Sequence, residues 1–159
     1  MELKSLSQHE LLSKAIIIAT TAHAGQVDKA DQPYILHPLR VMAAVKPTNY
    51  KIIAVLHDVI EDSEVTIQNL KDEGFPEELL LVLDCLTRRQ EEKYDTFIQR
   101  VTTNSIASYI KLADLKDNMD ISRLYTTKLH TITKKDMARL IKYNEAMISI
   151  LKVFGHLWS

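Results

Sequence analysis

Apolar residues recur along this chain at intervals of three and four, the spacing that lines one face of a helix. Only three glycines and four prolines punctuate it, and no Asn-Gly hairpin dipeptide occurs, so the pattern predicts an all-α fold of roughly eight helices. A first helix begins near Ser7, whose spacing to Glu10 fits a capping box, and ends at Gly25 after His23. A loop from Gln26 to His37 follows, and Pro38 suits the first turn of a short second helix that ends before Pro47. The next helix spans about Asn49 to Glu61. Thr66 caps a short helix to about Glu73, Pro76 opens another through Leu86, and Tyr94–Thr102 and Ser105–Leu124 continue the series. Thr133 with Asp136 caps the last, which runs to about Phe154.

One segment departs from the two-sided pattern. Ile52-Ile53-Ala54-Val55-Leu56 is apolar and rich in β-branched residues, which also suits a buried strand. Polar residues then resume at His57, Asp58, Glu61 and Asp62. In a helix the i,i+4 relation sets Glu61 beside His57 and Asp62 beside Asp58, gathering four polar groups at one end; a strand would split them across two faces. Desolvating Asp58 within an apolar element costs several kcal/mol unless a cation or strong donor compensates it. A divalent metal answers that need.

Composition narrows the classes. With 159 residues and 46% hydrophobic content, residues 1–159 are expected to form a single domain around one core. A net charge of −1 offers no broad basic field, so neither nucleic acid nor an anionic membrane surface is an expected partner. Runs such as Leu79–Leu83 fall short of the ~20 residues that cross a bilayer. The single Cys85 cannot form an internal disulfide and no charged leader precedes an apolar segment, so the reducing cytoplasm is the expected compartment.

Two further residues join His57 and Asp58 as candidates: His37, in Pro33-Tyr34-Ile35-Leu36-His37-Pro38, and Asp114, in Lys111-Leu112-Ala113-Asp114. Two imidazoles and two carboxylates make a nitrogen/oxygen donor set suited to Mn²⁺, Fe²⁺ or Zn²⁺. His37 precedes a proline and is expected to be extended at a helix entrance. Plainer readings stand beside these: His57 as a hydrogen-bonded core histidine, His37 as a loop histidine, Asp114 as the partner of Lys111 or Lys116. His23 fits a helix cap better than a metal, and His9, His130 and His156 have no acidic or histidine neighbours that suggest a site.

The segments Ala22-His23-Ala24-Gly25-Gln26, Pro33–Pro38, Leu56–Asp62 and Lys111–Asp114, in this order, resemble the hydrolase domain of the RelA/SpoT family, part of the HD superfamily of metal-dependent phosphohydrolases. The similarity runs from about Leu11 to Tyr143. It implies an HD-domain helical bundle like the stand-alone small alarmone hydrolases, acting on (p)ppGpp or (p)ppApp and releasing pyrophosphate. It also implies an Mn²⁺ ion held by His37, His57, Asp58 and Asp114, with Glu61 and Asp62 positioning and activating the attacking water. Asn118 matches a ribose-contacting asparagine, Arg139 and Tyr143 an Arg-x-x-x-Tyr pair facing phosphate and nucleoside, and Lys29 a basic loop residue. Lys111 is a further candidate for neutralising phosphate.

The chain departs from the pattern at two places. Asp28-Lys29-Ala30-Asp31 stands where guanosine-selective enzymes show Arg-Lys-x-Gly, and Asp114-Leu115-Lys116-Asp117-Asn118 where they show Asp-Arg-Leu-His-Asn. These changes leave open an adenosine alarmone, another nucleotide as substrate of an HD-type phosphohydrolase, or a helical module that binds a nucleotide without turning it over.

Overall fold

The computed structural model describes residues 6–122 and 132–154, and among these every regular element is helical. The elements are α1 (Gln8–Ala22), α2 (Leu36–Ala44), α3 (Thr48–Leu56), α4 (Val59–Asp62), α5 (Ile67–Asp72), α6 (Glu77–Leu86), α7 (Tyr94–Val101), α8 (Ser105–Met119) and α9 (Lys134–Phe154). The all-α expectation is borne out. Capping chemistry sets several starts: Ser7 and Glu10 form a reciprocal capping box, Thr66 and Asn69 do the same, and Thr133 pairs with Asp136.

The centre of the bundle is α3. Ile52, Ile53, Ala54, Val55 and Leu56 are all at most 2% exposed, because α3 packs against α1, α2, α6 and α8 at once. The apolar run is thus a helix buried all round, and enclosure on every side, not strand pairing, explains its lack of polar positions. Each of the isoleucine, valine and leucine side chains contributes roughly 1.5–3 kcal/mol of burial. The arrangement delivers whatever follows Leu56 into the interior.

Three boundaries differ from the sequence reading. The expected helix from Asn49 to Glu61 is broken: α3 stops at Leu56, His57 and Asp58 form a turn, and α4 restarts at Val59. The Ala54 carbonyl, which a continued helix would pair with the Asp58 amide, instead accepts from His57 Nδ1 at 2.7 Å. His37 is helical, not extended, because α2 begins at Leu36; Pro38 is tolerated there since a first-turn residue needs no amide hydrogen bond. Finally, α8 ends at Met119 with Asp120 as its cap, short of Leu124, which lies outside the described residues. No helix among the described residues is long and apolar enough to cross a membrane.

Candidate metal centre

Three helices bring one donor group each to the end of α3. His37 comes from the first turn of α2, His57-Asp58 from the α3–α4 turn, and Asp114 from the third turn of α8. His37 Nε2 stands 3.1 Å from Asp114 Oδ1 and 3.5 Å from Asp58 Oδ2. His57 Nε2 stands 3.1 Å from Asp58 Oδ2 and 3.5 Å from Asp114 Oδ1. Ligands held at about 2.1 Å from one ion lie ~3.0–3.4 Å from each other, so these separations fit a shared cation. His37, His57 and Asp58 form a group able to hold a metal, with ligand atoms within 4.8 Å of one another; Asp114 approaches both histidines but falls outside that group.

The tautomers support the same fit. His57 Nδ1 donates to the Ala54 carbonyl and His37 Nδ1 bonds Asp117 Oδ2 at 2.7 Å, which leaves both Nε2 lone pairs aimed at the common point. His57 Nε2 is buried and makes no hydrogen bond despite its closeness to Asp58. Burial works against charge on both imidazoles, yet the surrounding carboxylates prevail. His37 is pushed up to about 11 by hydrogen bonds to Asp114, Asp117 and Asp58, and His57 to about 9 by Asp58 and Asp114. For Asp58 and Asp114, burial is likewise overcome, by His57 and the other imidazole for Asp58 and by Lys111 and both imidazoles for Asp114, and both carboxyls are held below the usual range. The pocket favours positive charge at its centre.

The surrounding groups were less legible. Tyr34 Oη donates to Asp58 Oδ2 at 2.6 Å, a role its place in Pro33-Tyr34 did not reveal. Asp117, read above only as a departure, sits behind His37 and takes a two-pronged contact from Arg40, at 2.7 and 3.0 Å. The signal was present: Asp117 follows Asp114 by three residues and Arg40 follows His37 by three, so each shares a helix face with a candidate ligand. Lys111 needs correction as a phosphate group, because its Nζ is 2.7 Å from Asp114 Oδ2 and is committed there.

Glu61 and Asp62 lie on α4 just beyond the donors. The Asp62 amide bonds the Asp58 carbonyl at 3.0 Å, preserving that i,i+4 relation. Glu61 turns away from His57 and accepts from the Arg88 backbone N–H. Burial and the neighbouring Asp58 raise the pKa of both acids. His23 caps α1 and bonds Gln26 at 2.8 Å, while Gln26 donates to the Asp62 carbonyl at 2.8 Å, so this histidine braces α4 and is no donor at the centre.

A cleft of about 300 Å³ opens over His37 and is lined by Lys29, Tyr34, Asn118 and Arg139 among others. Three of the four residues expected at substrate thus share one wall of space with the centre. Asn118 also donates to Asp114 Oδ1 at 2.5 Å, and Arg139 pairs with Asp136 at 3.1 Å. Tyr143 does not line this cleft; its ring packs 6.4 Å from that of Tyr94.

No protein-family model matches the sequence. The chain is 31% identical over 137 residues to the guanosine-3′,5′-bis(diphosphate) 3′-pyrophosphohydrolase of Haemophilus influenzae, an alignment covering 76% of this chain and 20% of that protein. It is 30% identical to the protein of the same name from Borreliella burgdorferi, over 92% of this chain and 24% of the relative. A solved structure described as a metazoan ortholog of SpoT that hydrolyses ppGpp superposes with a TM-score of 0.71 at 20% identity, covering 89% of this chain and 85% of that one. The chain is thus similar over most of its length to one segment of these pyrophosphohydrolases, and it shares the all-α fold of the metazoan structure. It spans about a fifth to a quarter of the length of these curated relatives.

The loop that departs from the family pattern keeps its shape by its own side chains. Asp28 Oδ1 accepts from the amides of Ala30 and Gln32, at 2.8 and 3.0 Å. Asp31, at the position of the family pattern's glycine, takes the left-handed φ of 62°, a conformation that aspartate tolerates better than most side chains. The acid in place of the arginine therefore builds the loop that presents Lys29 to the cleft.

Proposed function

We propose that the chain hydrolyses a 3′-diphosphorylated nucleotide alarmone, (p)ppGpp or (p)ppApp, to pyrophosphate and a nucleoside 5′-di- or triphosphate. The observation that carries this reading is that Asp58 Oδ2 and Asp114 Oδ1 each stand 3.1–3.5 Å from both histidine Nε2 atoms, with both histidine tautomers fixed from behind. The names of the relatives support the reaction class.

His37, His57, Asp58 and Asp114 would hold a divalent ion, Mn²⁺ foremost, since neutral imidazoles and carboxylates suit it. Such an ion supplies Lewis-acid polarisation of a phosphoryl oxygen and a lowered water pKa. The residues themselves do the rest. Water attacks the phosphorus bonded to the 3′ oxygen, that P–O bond breaks to release pyrophosphate, and the proton taken from the water is returned to the 3′ oxygen as its hydroxyl. Glu61 and Asp62, with pKa values raised by burial, accept the water proton, and the Arg88 amide keeps Glu61 in place. Lys29 and Arg139 neutralise phosphate in the cleft, and Asn118 offers a polar contact to the sugar. With Asp28 occupied in the loop, no arginine stands there to select guanine, and the base remains a matter for assay. A cytoplasmic location belongs to the same proposal.

A panel of ppGpp, pppGpp, ppApp, nucleoside monophosphates and a nicotinamide dinucleotide phosphate, assayed with Mn²⁺ for pyrophosphate and phosphate separately, tests the reading. Pyrophosphate from an alarmone is the expected result. Phosphate release alone points to another HD-type reaction, and alarmone binding without product points to a non-catalytic module; either overturns the proposal.

A further inference from the structure

Beside the metal centre lies a second cluster that the reading above does not use. Tyr94 Oη is buried and has no hydrogen-bond partner. Lys142 Nζ lies 4.4 Å from the Tyr94 ring centre and 5.4 Å from that of Tyr143, and the Arg88 guanidinium lies 6.0 Å from the Tyr94 ring. Most cations near the centre have acidic partners: Lys111 has Asp114, Arg100 has Glu92, Arg139 has Asp136, and Arg40 has Asp117. Among the described residues Lys142 and Arg88 have no carboxylate partner, and the Arg88 guanidinium hydrogen-bonds only the Glu92 carbonyl.

Tyr94, Lys142 and Arg88 each bring donors to this neighbourhood, while the nearby Glu61 carboxylate is taken up by the Arg88 backbone amide. The tyrosine hydroxyl lacks an acceptor, the ammonium and guanidinium can only donate, and Lys111 borders them with its charge held by Asp114. Burial and then the charges of Arg88, Lys111 and Arg139 lower the pKa of Lys142, as expected where cations meet without an anion. An acceptor-only dianion would satisfy all of them together. The neighbourhood adjoins the reacting groups, since Glu61 accepts from the Arg88 amide and Lys142 lies three residues after Arg139 on α9, whose arginine faces the cleft.

We propose that Tyr94, Lys142 and Arg88 form a subsite for a terminal phosphate, one that holds the distal phosphate of the 3′-diphosphate and then the departing pyrophosphate. This inference rests on the proposed reaction for its place in the sequence of events. The substrate would span from Lys29 and Arg139 at its 5′ phosphates, past the metal donors, to Lys142 at its 3′ end.

Calorimetric titration of the Mn²⁺-loaded protein with inorganic pyrophosphate, and separately with a nucleoside 5′-monophosphate, tests the subsite without requiring turnover. Lys142→Gln, whose residue is exposed, and Arg88→Gln should each weaken pyrophosphate binding on the order of tenfold, leaving the monophosphate constant unchanged. Tyr94→Phe, which retains the ring, should weaken pyrophosphate by a smaller factor. Wild-type protein that does not bind pyrophosphate, or variants that bind it as wild type does, would overturn the subsite. Pyrophosphate binding sensitive to Lys142 in a protein inert toward every alarmone would retain the subsite and sink the proposed reaction instead.

Discussion

At the scale of single residues, the histidines are governed by what stands behind them. Asp117 fixes the His37 tautomer and is itself held by Arg40, so the pair acts on the centre without touching its middle. On the proposed reading, Asp117→Ala should weaken Mn²⁺ binding by a factor on the order of 10–100 while leaving the helical signal intact, as metal titration and circular dichroism would measure. Asp58→Ala is more severe: it should strip the metal and abolish hydrolysis, and a metal-loaded variant with normal activity would rule out the proposed site. Glu61→Gln should retain the metal and lose rate by a factor on the order of 10²–10⁴, because it removes a proton acceptor and no donor atom. Unchanged turnover in that variant would free Glu61 of any such role.

At the scale of elements, α3 shows why part of the site was legible. A run of five buried apolar residues followed by His-Asp signals an interior helix end with chemistry, and both the helix and its polar terminus are found. The break after Leu56 was not legible, because it depends on the Ala54 carbonyl accepting from an imidazole, a local competition that periodicity does not report. In the same way α2 starts one residue before His37, where Pro38 marks the first turn without fixing its phase. Since α3 touches four other helices, truncating its centre affects the whole bundle. Ile53→Ala should cost about 2–5 kcal/mol, seen in urea unfolding as a lower midpoint with an unchanged slope.

At the scale of the whole molecule, the buried centre joins metal binding to stability. Two carboxylate oxygens that each lie within 3.5 Å of two imidazole nitrogens are best satisfied by a cation, so binding to the folded state alone raises its stability. Mn²⁺ at a hundred times its dissociation constant should add roughly 2.7 kcal/mol, visible as a rise in Tm that a chelator reverses. A melting temperature indifferent to metal and chelator would argue against a filled centre. The ordered segments around His37, His57-Asp58 and Asp114 sufficed to suggest the donor set, because each carries its residue type in a fixed local context.

The sequence by itself determined the helical class, the caps, the buried character of α3 and the four donor types, since periodicity, capping and composition are local properties written into neighbouring residues. Only the tertiary structure decided that Asp117 and Arg40 brace His37 and that Tyr143 sits with Tyr94 away from the cleft. Those outcomes depend on which helix faces meet across gaps of up to 80 residues, and packing of the complete bundle, not local preference, sets that geometry.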